Sequence, residues 1–121
     1  MEQFSFEKLD AYKQARSLVI EVYKLLEKFP DSEKYALSDQ IRRAIISVPS
    51  NIAEGSERMS IKEKIHFLEF AFGSLMEAYC QIQIANELNF ILEEDFMRVK
   101  ENVIDVSKLL SGLRKSLTLK L

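Results

Sequence analysis

The chain has a single cysteine, Cys80, among 121 residues. A lone thiol forms no intramolecular disulfide and fits a reducing compartment, so the fold must rest on its apolar core. Only 3 glycines and 2 prolines are present, too few for the many turns of a sandwich or barrel. No run of about 18 apolar residues occurs, so no membrane span is expected. The opening "MEQFSFEKLD" has no basic start followed by an apolar run, so no signal peptide is expected and the cytoplasm is the expected location. The only histidine, His66, lies in Glu63-x-x-His66. Di-metal bundles need that motif on two helices, and one histidine cannot supply it twice, so no metal or other cofactor is expected. No GxxxxGK[ST] or GxGxxG loop is present. His66 and Cys80 stand fourteen residues apart on one predicted helix, about 21 Å along its axis, which rules out a direct Cys–His pair within a chain. Cys80 reads as a small buried filler. The expectation is a protein that is not an enzyme.

What the sequence does have is helical periodicity. Hydrophobic residues make up 47% of the chain and charged residues 30%, a balance suited to one soluble domain over residues 1–121. Steps of three and four mark a helix from about Glu7 to Phe29, with Tyr12, Ala15, Val19, Val22, Leu26 and Phe29 on one stripe and Pro30 ending it. A second runs from about Ser38, a candidate cap, to Gly55, with Ile41, Ile45, Val48 and Ile52 inward. A third opens on "SIKE", where Ser60 and Glu63 form a capping box, and ends near Asn89. Its stripe is Ile61, Ile65, Leu68, Phe72, Leu75, Tyr79 and Ile82. A fourth begins at Glu93, Glu94 and Asp95, acidic residues suited to a positive helix start, and carries Phe96, Val99, Val103, Val106, Leu110, Leu113 and Leu117. Four such segments with short connections predict an all-α, antiparallel up-down four-helix bundle.

The stretch "SVPSNIAEG", residues 47–55, puts proline, asparagine and glycine inside the second helix. Ile41, Ile45, Val48 and Ile52 keep their register across Pro49, which predicts a helix continuing through the proline with a kink. Ser47, Ser50 and Asn51 stand where the freed backbone groups appear. Gly55 suits a left-handed helix end.

The same stretch resembles the signature of the 23S rRNA-intervening sequence protein family, also called four-helix-bundle proteins. The likeness extends upstream through Phe29–Pro30, Glu33, Leu37 and "QIRRA" at Gln40–Ala44, and downstream to Arg58 and "AFGSLMEA" at Ala71–Ala78. Pro49, Asn51, Glu54, Gly55, Gly73, Ser74 and Glu77 are the positions that carry it. The resemblance implies a four-helix bundle, assembled as a ring-like homo-oligomer that is pentameric in relatives, and a nucleic-acid role. Some members are encoded within insertions in bacterial 23S rRNA genes, and a related group serves as accessory protein of diversity-generating retroelements.

Charge and surface pattern bear on those implications. The net charge is −2, which argues mildly against binding nucleic acid by charge alone. From Arg98 to Leu121, however, six basic residues face two acidic ones. The candidate phosphate contacts for RNA or DNA are Arg42, Arg43, Arg58, Lys62, Lys64, Arg114 and Lys115, and a solvated face is the plainer reading of each. Arg42 and Arg43 point about 100° apart, so one of them could instead pair with Glu54 or Glu77. The third helix is apolar on more than one side. Phe67, Phe70, Ala71, Ala78 and Ile84 lie beside its core stripe and are candidate residues of a subunit interface. The alternative is a wide core, with Phe67 or Phe70 under the Phe4–Phe6 segment. Two functions therefore stand: an oligomeric bundle binding structured RNA or DNA through basic patches, or a protein-interaction scaffold without a nucleic-acid role.

Overall fold

The computed structural model describes residues 2–121. A 3-10 turn at Ser5–Lys8 precedes helix α1 (Asp10–Leu26). A second 3-10 turn at Asp31–Glu33 leads to α2 (Leu37–Ser56), then α3 (Ile61–Glu87) and α4 (Glu93–Thr118). No strand is present among the described residues. The fold is the expected all-α four-helix bundle. Each helix packs on its neighbours in sequence, and α4 closes the ring against α1.

Named contacts set the directions. Gly55 meets Phe67, Ser47 meets Ser74, and Gln40 meets Gln81, so α2 and α3 run in opposite senses along a shared seam. Gln14 with Asn102 and Lys28 with Asp95 give the same opposed order for α1 and α4. The core lies between the four helices, with Leu18, Val22, Ile41, Ile45, Ile52, Leu75, Ile82, Val106 and Leu110 fully buried. Each such side chain contributes about 1.5–3 kcal/mol through burial.

The helix starts and stops have physical causes. Ser60 Oγ accepts a bond from the Glu63 amide at 3.1 Å, which is the serine half of the expected capping box. At the other end of α3, Asn89 takes a left-handed conformation at φ 62°. The Phe90 amide then donates to Ala85 O and the Asn89 amide to Asn86 O, each at 3.0 Å, closing a Schellman motif. Phe90 continues inward to pack on Phe29, with ring centroids 5.6 Å apart. Phe29 itself lies beyond the end of α1, so that helix is shorter than expected at both ends.

Several expectations are corrected. Ser38 does not cap α2; it sits one residue inside the helix and is buried. The core face of α3 is Leu68, Ala71, Leu75, Ala78, Ile82 and Ala85, while Phe72 is 38% exposed. The reason is the close approach of α2 and α3, the most extensively packed pair of helices. Small residues allow it, and Ala71 and Ala78 therefore belong to the core, not to a subunit interface. Gly55 is helical, with no positive φ, so it is not a left-handed cap. It is needed because a Cβ there would fall 2.5 Å from Phe67 Cβ. Cys80 is exposed rather than buried, on the outer side of α3.

Candidate nucleic-acid interface

The stretch around Pro49 is built to keep α2 intact. The helix runs from Leu37 to Ser56 with Pro49 inside it. Proline supplies no amide, and its ring crowds the carbonyl four residues back. Polar side chains bind the neighbouring carbonyls. Ser50 Oγ donates to Ile46 O at 2.9 Å, and Asn51 Nδ2 donates to Ser47 O at 2.8 Å. The same Asn51 amide reaches Ser47 Oγ, which shares a hydrogen bond of 2.9 Å with Ser74 Oγ on α3. Asn51, Gly55 and Ser74 are thus parts of the α2–α3 seam, while Pro49 faces α1. Glu77 lies exposed on its outer side, while Gly73 is exposed beside the α3–α4 groove, and nothing lies within 4 Å of a Cβ added at Gly73.

The seven basic candidates divide between the two ends of the bundle. Arg43 and Arg58 are fifteen residues apart, about 22 Å along α2. Arg42 and Arg43 occupy the end near Lys34. Arg42 Nη1 reaches Lys34 O at 3.5 Å, and Arg43, 82% exposed, has its Nε 3.5 Å from Asp39. Neither arginine pairs with Glu54 or Glu77 within the chain. Glu54 instead bonds Arg58 one turn away, at 3.1 Å.

The other end gathers Arg58, Lys62, Lys64, Arg114 and Lys115, drawn from the α2–α3 turn, the start of α3 and the last turns of α4. Arg58 stacks its guanidinium on the Phe67 ring, 4.6 Å from the centroid, so half-buried Phe67 is covered by Arg58 and not by the N-terminal segment. In that segment Phe6 packs edge-on against Tyr12. Arg114 bridges to Glu69 on α3 at 3.1 Å. Lys64 Nζ donates to Ser56 O at 2.7 Å. Lys62 and Lys115 are exposed and make no ion pair with the described residues.

Of the candidate interface residues, Phe70 is 50% exposed with His66 edge-on at 4.4 Å, and Ile84 is also exposed. Other exposed apolar side chains lie elsewhere. Ile20 and Ile46 border a groove of about 400 Å³ between α1 and α2, floored in part by Pro49. Phe72, Met76 and Ile104 are exposed on α3 and α4.

Sequence reading missed one charged cluster between α1 and α4. Asp95 is nearly buried and accepts from Lys28 Nζ at 2.6 Å and Arg98 Nη2 at 3.0 Å. The Lys28 hydrogen bond is the main cause holding its carboxyl below the ordinary aspartate range. Glu21 sits beside it with Oε1 buried and without a partner, and burial pushes its carboxyl above the ordinary glutamate range. Lys28 and Arg98 carry the signal, but in the sequence alone Asp95 reads only as an acidic helix start.

Among the described residues, no helix is long and apolar enough to cross a membrane. The comparison with curated proteins finds no match. Among solved structures, the chain is similar to a protein of unknown function from the S23 ribosomal protein family of Bacteroides thetaiotaomicron VPI-5482. That match has a TM-score of 0.80 at 20% identity, covering 87% of this chain and 98% of that one. The family model of the 23S rRNA-intervening sequence protein matches residues 7–112, which include the Pro49 stretch, its α2–α3 seam and most of α4. On that match, the chain belongs to the 23S rRNA-intervening sequence protein family.

Proposed function

We propose that the protein is a self-associating bundle that acts by binding rather than catalysis, and that it contacts structured RNA or DNA with the end bearing Arg58, Lys62, Arg114 and Lys115. The observation that carries this reading is convergence. Cationic side chains from two stretches far apart in sequence, residues 58–64 and 114–115, meet at one end, and two of them, Lys62 and Lys115, have no carboxylate partner among the described residues. Contacts of this kind follow charge and shape rather than base sequence. Self-association is supported by exposed apolar side chains on opposite sides of the bundle, Ile20 and Ile46 on one and Phe72, Met76 and Ile104 on the other. Opposed patches suit head-to-tail contacts, which form rings where the rotation between subunits closes. A ring repeats the basic end in each subunit, and repetition multiplies a weak affinity.

The test is light scattering of the purified protein, alone and with structured RNA or duplex DNA, at about 50 and 200 mM salt. A discrete oligomer that gains mass with nucleic acid at low salt and loses it at high salt is the expected result. An oligomer indifferent to both nucleic acids at low salt favours the second reading, a protein-interaction scaffold. The net charge of −2 and the pairing of Arg58 and Arg114 with glutamates support that second reading.

A further inference from the structure

At the same end of the bundle, the helices leave a cavity of about 220 Å³ open to the surface. Leu9, Ile52, Leu68, Leu113 and Leu117 line it, one or two from each helical segment, and Gly55 adds no side chain to its wall. The lining contains a single charged group, Lys64. Lys64 is half-buried and makes no ion pair with any described carboxylate. Its ammonium donates one hydrogen bond, to Ser56 O in the last turn of α2, at 2.7 Å. A lysine ammonium has three donors, so two remain. Ser5 and Ser56 complete the lining, and their hydroxyls bond Glu57 at the rim. The arrangement is a largely aliphatic chamber with one cation at its wall and no carboxylate within ion-pair distance of it.

We propose that this cavity binds a short aliphatic carboxylate, its chain among the leucines and its head on Lys64 Nζ. The size sets the chain length. A volume of about 220 Å³ holds roughly seven groups of water size, which corresponds to a chain of six to eight carbons. It is smaller than the roughly 300–1,000 Å³ clefts that take larger ligands. The apolar lining side chains are all aliphatic, with no aromatic ring among them, which favours a saturated chain over a ring. The charge sets the head group: an anion supplies the partner that Lys64 lacks, and a neutral or cationic head leaves the ammonium uncompensated. The inference is independent of nucleic-acid binding.

The experiment is a methyl NMR titration of the wild-type chain with octanoate, octanol and octylamine, followed by hexanoate and dodecanoate. Octanoate is expected to shift the methyls of Leu9, Ile52, Leu68, Leu113 and Leu117 saturably. Affinity is expected to rise about fourfold for each CH₂ from hexanoate to octanoate, and to stop rising once the cavity is full. Octanol and octylamine are expected to bind at least tenfold more weakly. Lys64→Met keeps the aliphatic stem and is expected to erase the preference for octanoate over octanol. Shifts that grow without saturating and spread to Ile46 and Ile104 overturn the cavity assignment. Equal binding of octanoate and octanol to the wild-type chain overturns the role of Lys64, whether or not the variant folds.

Discussion

Gly55 on α2 lies against Phe67 on α3 so closely that a Cβ at residue 55 would stand 2.5 Å from Phe67 Cβ. The obstructing atom is next to the backbone, so relief requires one helix to move. Gly55→Ala is expected to destabilise the fold by about 1–3 kcal/mol, despite alanine's better helix propensity. Gly73 and Gly112 are the controls, because nothing lies within 4 Å of a Cβ at either. Gly73→Ala and Gly112→Ala are expected to stabilise by about 0.5–1 kcal/mol in urea denaturation. A Gly73→Ala protein that gains stability yet loses self-association would assign that glycine to the subunit interface.

The hydroxyl pair across the α2–α3 seam gives a second test. Ser47→Ala removes the bond to Ser74 and one of the two bonds made by Asn51 Nδ2. The expected loss is about 1 kcal/mol. Ser50→Ala removes only an exposed bond to Ile46 O and is expected to change stability by less than about 0.5 kcal/mol. Reversed magnitudes would mean that the seam is not held by its polar contacts.

Glu21 and Asp95 are expected to bend the pH profile of stability in opposite directions. Asp95 is held below its ordinary 3.8. Its contribution is present above that value and is lost as pH falls through the folded pKa. Glu21 is raised above its ordinary 4.5, so ionising it opposes folding as pH rises through the raised pKa, and the cost is absent below 4.5. Asp95→Asn should therefore lower stability at pH 7, with the difference closing in strong acid. Glu21→Gln should raise stability at pH 7 and leave it unchanged near pH 4. Denaturation of the two variants at both pH values checks the signs.

Cys80 is exposed on the outer side of α3, and so it reports on that face. In dilute native protein, Ellman's reagent is expected to react with one thiol per chain without prior unfolding. Slower reaction at concentrations where the protein associates would place that side of α3 in the contact. Unchanged reactivity would place the contact on other faces.

The four helices were legible because their apolar stripes recur strictly, and charge or capping residues mark their starts. Asn89 ends α3 where the sequence suggested, since asparagine tolerates the left-handed conformation. What was not legible was depth. Periodicity alone treats Phe72 and Ala71 as neighbours on one broad face, and size favoured the phenylalanine for the core. The distance between α2 and α3 decided otherwise, and that distance depends on which small residues of both helices meet. Gly55, Ala71 and Ala78 belong to that one geometric fact, yet in the sequence they stand far apart. The basic residues were identifiable individually, but their division between two ends depends on helix length and direction.

Pro49 has a further consequence for how the bundle breathes. Its missing amide leaves one rung out of the otherwise continuous backbone ladder of α2, a weak point between an N-terminal and a C-terminal block. Each block has its own attachment to α3, Gln40 with Gln81 on one side and Gly55 against Phe67 on the other. Deuterium uptake should therefore be biphasic along α2, with residues 37–48 and 50–56 exchanging as separate opening units.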